Sequence, residues 1–199
     1  MKGKIMSKFL NFCIVIASLI IATPALAVTE DYGTLLSGSY QPPETFATLS
    51  VTGSGNVYDF TLSAFDLNAL FTTGAFIGAI AVNIAPDSNA LPTISNVVGG
   101  APVSAANGGG PLGEWEFRFD LTGPQQARLT ANESVSWTAT FANPVSFEGN
   151  QFALHVQGLT REQGGSAWYV NTPVPEPETY GMLLAGLGLL GFIAKRRLS

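Results

Sequence analysis

One histidine, two acidic-amide pairs, two glutamates set close together and a Trp-Tyr dipeptide are the residues of this chain best suited to chemistry. His155, in "ALHVQ", is the one imidazole a nucleophilic triad could use, and no nucleophile motif accompanies it. Zinc takes three or four ligands, usually His or Cys, so one His and one Cys exclude its common sites. Glu114 and Glu116 stand two apart. On a strand they would share a face roughly 6–7 Å apart, a separation near those of glycoside hydrolases. Arg118 and Asp120 continue that row, however, which is the pattern of a solvated strand face. Asp66 and Asn68 in "FDLN", and Asp87 and Asn89 in "PDSN", offer oxygens to a hard cation such as calcium. Neither stretch follows the twelve-residue EF-hand loop. Trp168 and Tyr169, after "EQGGSA", could stack on a sugar if their rings are exposed, the plainer role for Trp168 being packing at a sheet edge. No pattern calls for a cofactor.

The elements that must position these residues read as strands. In "VYDFTLSA", Tyr58, Phe60, Leu62 and Ala64 alternate with polar residues. "WEFRFDL" aligns Trp115, Phe117, Phe119 and Leu121; "VSWTATF" aligns Val135, Trp137, Ala139 and Phe141; "FALHVQ" aligns Phe152, Leu154 and Val156, which leaves His155 on the opposite face. A period of two is the signature of half-buried strands. "FIGAIAVNIA" is apolar on both faces and reads as a central buried strand, with a short helix as the alternative, while "AFDLNALF" could equally be a helical turn after the strand before it. Trp115 and Trp137 fall on inward rows and are expected in the core. Turn chemistry in "TGSGN", "PDSNALP" and "TGPQQ" separates the runs, and "GGAPVSAANGGGPLG" reads as a loop. Thr138 to Thr140, "TAT", is a single instance and not the repeated threonine array of an ice-binding surface. The expectation is an all-β antiparallel β-sandwich or jelly-roll-like domain of about seven to nine strands over residues 28–172.

Both ends carry a different signal. Lys2, Lys4 and Lys8 precede the apolar stretch Phe9 to Ala22, and "TPALA" places Ala25 and Ala27 at the −3 and −1 positions of a cleavage site. Residues 1–27 are therefore expected to be a secretory signal peptide. Cys13 lies inside it, so the mature chain has no thiol for a disulfide or a metal. At the other end, Tyr180 to Ala194 are fifteen residues without a charge, about 22 Å as a helix. That is short against a hydrocarbon core of about 30 Å. A span over 180–194 therefore relies on Lys195, Arg196 and Arg197, in the tail 195–199, snorkelling to the interface and staying cytoplasmic. Between the ends, twelve acids oppose three arginines, a net charge of −9. Such a body repels nucleic acid, which is excluded as a partner.

"VPEPETYGMLLAGLGLLGFIAKRR" resembles the C-terminal sorting signal of bacterial PEP-CTERM proteins: a Pro-Glu-Pro motif, a short Gly/Ala/Leu-rich helix and a basic tail. The resemblance implies that an exosortase, a membrane-embedded cysteine-type transpeptidase, is the processing partner. It also implies that Pro175, Glu176 and Pro177, in the linker 173–179, are the residues recognised. Prolines on both sides of Glu176 keep that stretch extended, a form a protease can read. The implied route is anchoring in the inner membrane, then passage to the cell surface or extracellular matrix, where extracellular polysaccharide is a possible partner. "YDFTLS" and "FALHVQGLTREQGGSAWYV" resemble, more weakly, segments of small proteins bearing the same signal. The role this suggests is structural or interactive and not enzymatic, or that of a carbohydrate- or calcium-binding module of a biofilm matrix.

Overall fold

The computed structural model describes residues 25–88, 90–113, 115–147 and 151–172. The alternating runs form β1 (Leu26–Ser37), β2 (Ala47–Ser54), β3 (Val57–Ala64), β4 (Phe76–Val82), β5 (Thr93–Gly99), β6 (Ser104–Asn107), β7 (Phe117–Asp120), β8 (Ser134–Thr140), β9 (Phe152–Gln157) and β10 (Ser166–Asn171). One helical turn, α1 (Leu67–Leu70), follows β3, as "AFDLNALF" suggested. All pairings are antiparallel, in a single sheet ordered β5-β8-β3-β2-β1-β10-β9-β4-β7-β6 that curls into a nearly closed barrel. The all-β antiparallel expectation is met. Among the described residues the strands number ten, one more than the upper expectation, as β6 forms inside the glycine-rich stretch expected to be a loop, and the two facing layers belong to one rolled sheet.

Local chemistry explains the curl. The register of β1 against β10 shifts between Tyr32 and Thr34 and again between Leu35 and Ser37. β4 shifts against β9 between Ile77 and Ala79. Such bulges bend a strand and increase its twist, so β1 pairs β2 along residues 26–32 and β10 from Tyr32 onward. β2 and β3 are joined by the two residues Gly55 and Asn56, with Gly55 at φ +65°. A two-residue hairpin needs that positive φ at its first position.

The inward rows fill the barrel. Phe60 stacks on Trp137 of the adjacent strand, with ring centroids 5.1 Å apart. It also meets Phe119 of β7 at 5.2 Å and Phe152 of β9 at 6.1 Å. β3 and β7 are far apart in the strand order, so these contacts cross the interior and hold the roll shut. Burying each such side chain stabilises the fold by about 1.5–3 kcal/mol. A second aromatic group, Phe46, Phe71 and Tyr169, packs beside α1. There the Tyr169 hydroxyl donates to the Tyr40 carbonyl at 2.7 Å. β4 is buried along its whole length, as its sequence predicted. Outward positions of β2, β3 and β8 are mostly Ser and Thr, with Thr138 donating to Asp59 at 2.6 Å.

Among the described residues no helix is long and apolar enough to cross a membrane. Most of the expected signal peptide and the whole 180–194 span lie outside the described residues.

Candidate functional site

The outer surface of the barrel carries a depression of about 380 Å³, and it follows from what β4 presents outward. The outward positions there are Gly78 and Ala79, too small to fill the space above their strand. The flanking strands carry large side chains. In one row across the sheet, Trp168 of β10 is opposite His155 of β9, His155 opposite Ala79, and Ala79 opposite Asp120 of β7. Two high walls on a low floor make a trough of about 380 Å³.

One wall is aromatic. The His155 imidazole lies flat on the Trp168 indole, with centroids 4.3 Å apart and planes 3° from parallel. Since β10 and β4 lie on opposite sides of β9, the indole covers one imidazole face and the other faces the trough. Burial, and then the nearby Arg118 charge, lower the His155 pKa from 6.5 to about 4, so the ring is neutral at physiological pH. The other wall is polar. Arg118 Nε donates to Asp120 Oδ1 at 2.6 Å, and Arg118 Nη1 donates to the Gly108 carbonyl at 3.0 Å. The side-chain amide of Gln157 lies over Gly78, where a Cβ would collide with it, and closes one end.

The structure sorts the predicted residues. Trp168 is half-buried and lines the trough, but Tyr169 is fully buried, because neighbouring residues of a strand face opposite ways. Tyr169 therefore cannot stack on a sugar. Trp137 is in the core as expected. Trp115 is not: β7 begins at Phe117, and Trp115 precedes it, half-buried against Gly110. Asp66 caps α1, accepting from the Ala69 N–H at 3.2 Å, and Asn68 accepts from the Gly74 N–H at 3.3 Å. Both of these proposed calcium ligands thus have local structural work. Asn89 and Glu114 lie outside the described residues. Glu116 has Asp87 as its carboxylate neighbour, and burial followed by that neighbour raises its pKa. Its Oε2 accepts from the Ile84 N–H at 3.3 Å, which partly opposes the rise. Among the described residues no three His, Asp or Glu gather as a metal site would require.

Sequence reasoning treated His155, Trp168 and the Arg118/Asp120 row separately. Alternation puts His155 and the Arg118/Asp120 row on outward faces and leaves Trp168 at a sheet edge, but only the strand order brings them together, and no local pattern encodes that order.

Ala27 is paired with Thr52 at the tip of β1, and Ala25 precedes the strand as an exposed residue. Cleavage after Ala27 would remove two residues that pair with β2 alone. Pro175, Glu176, Pro177, Lys195, Arg196 and Arg197 lie outside the described residues. Residues 173–197 match the family described as the PEP-CTERM protein-sorting motif. Neither the curated proteins nor the solved structures give a match. The chain thus carries a sorting signal, which marks it for export, anchoring before processing, and processing by an exosortase-type enzyme.

Proposed function

We propose that the PEP-CTERM motif delivers the barrel to the cell surface or extracellular matrix, where it acts by binding and not by catalysis. The observation that carries the first half is the family match over residues 173–197. The Pro-Glu-Pro residues are substrate for the processing enzyme, and the fifteen uncharged residues after them form a tether that holds until cleavage.

A non-catalytic role is supported by the state of the groups that chemistry would need. The imidazole of His155 is occupied on one face by Trp168, and no Ser or Cys accompanies it in the trough. A general base has to be within hydrogen-bond reach of the proton it takes, and no hydrogen bond joins His155 to Thr122, the hydroxyl that lines the trough. Glu116 spends an oxygen on the backbone of Ile84. The net charge of −9 over residues 28–172 favours solubility outside the cell and discourages contact with anionic lipid.

The test is replacement of Pro175, Glu176 and Pro177 together by alanine, followed by cell fractionation. The altered protein should accumulate in the inner-membrane fraction with its tail attached. Release at the wild-type rate would contradict the proposal.

A further inference from the structure

We infer that the trough over β4 is a binding site for a neutral pyranose unit of a glycan chain. This rests on the non-catalytic interaction role proposed above and gives it a place and a ligand class.

The walls stand on β9 and β7, two strand spacings apart, which is about 9–10 Å between backbones. A ring sandwiched at van der Waals contact needs about 7–8 Å between the atoms of the two walls, at 3.5–4.0 Å on each side. The trough therefore accepts one ring edge-down, with its faces toward the two walls. Its volume of about 380 Å³ leaves room along the floor for the chain to continue.

Wall chemistry then selects the ring. The imidazole, backed by the indole at 4.3 Å, presents a flat neutral face suited to the C–H face of a sugar. The opposite wall presents Arg118 and Asp120, and Gln157 adds an amide at the end. A planar aromatic ligand would gain from apolar surface on both faces. A pyranose, with one apolar face and a rim of hydroxyls, matches a trough apolar on one side and hydrogen-bonding on the other. The carboxylate of Asp120 can accept from hydroxyls, and the unused N–H groups of Arg118 can donate to them. Neutrality follows from the pairing. Arg118 is already compensated by Asp120 at 2.6 Å and is capped by the Gly108 carbonyl, so no uncompensated cation is left for a uronate or sulfate. The surrounding negative charge also disfavours an acidic chain.

The full-length chain, purified in a detergent without a sugar headgroup, is tested on an array of neutral and uronic-acid-bearing oligosaccharides. Hits are quantified by titration calorimetry. A neutral pyranoside should bind, and His155→Ala should weaken it tenfold or more, while His155→Phe, which restores a flat face against Trp168, should retain most of the affinity. Thr122→Trp is placed on the exposed rim and disturbs no buried group. It should abolish binding without lowering the melting temperature, which separates occlusion from misfolding. The inference is overturned if no neutral glycan binds, if only acidic glycans bind, or if binding survives both His155→Ala and Thr122→Trp. Cleavage of a bound glycan would leave the site standing and defeat the non-catalytic reading. Failure to bind would leave the sorting reading intact.

Discussion

His155 shows how one side chain couples site and stability. Its pKa in the folded chain, about 4, lies below the ordinary 6.5, because burial and then Arg118 disfavour the charged ring. The unfolded chain takes up the proton first as pH falls. The neutral ring therefore contributes its full stabilisation above pH 6.5 and loses it progressively as pH drops toward 4. The facing charged groups are Arg118 and Asp120, which compensate each other. Glu30 and Glu116 act in the opposite sense: their folded pKa values are raised, so their stabilisation is present below 4.5 and is lost as pH rises through the raised values. The difference between wild type and His155→Phe isolates the imidazole. We predict that the melting temperature of wild type, relative to the variant, falls between pH 6.5 and 4 and is flat above 6.5. Glu116→Gln removes the repulsion from Asp87 and keeps an oxygen for the Ile84 N–H. Thermal melting should show it more stable than wild type at pH 7, with the advantage disappearing below pH 4.5.

At the scale of the element, the hairpins and inward rows are the parts whose sequence dictates their form. Gly53 has φ +148°, and a Cβ there would collide with the Val57 carbonyl oxygen. Gly53→Ala should cost about 1–3 kcal/mol, read from urea denaturation. Tyr169→Phe, which loses the bond to the Tyr40 carbonyl but keeps the ring, should cost about 1 kcal/mol in the same assay. Trp137→Ala, which empties the stack on Phe60, should cost about 3–5 kcal/mol. The rows through Phe60, Trp137 and Leu154 were legible because alternation in sequence is burial in space. Trp115 misled because alternation does not mark where a strand begins, and its row starts two residues later, at Phe117. β6 was hidden because Ser104–Asn107 is a short edge strand of small residues whose partner, β7, supplies the order. The trough was illegible for a different reason. Gly78 and Ala79 form a floor only because β9 and β7 are the neighbours of β4, a fact of long-range pairing.

For the whole molecule, the decisive feature is that β1 and β10 are adjacent and antiparallel, so both termini leave from one end of the barrel. The Thr172 N–H still donates to the Asp31 carbonyl at 2.7 Å, the last tie before the sorting segment. Pro175 comes three residues after Thr172, a reach of at most about 10–11 Å. Processing at the Pro-Glu-Pro motif, as proposed above, would therefore bring the enzyme close to the folded body. The most direct test of the central claim is intact-mass and terminal-peptide spectrometry of the exported protein. The exported chain should begin at Val28 and end between Pro175 and Glu178. Exported protein that still carries the 180–199 segment would contradict it.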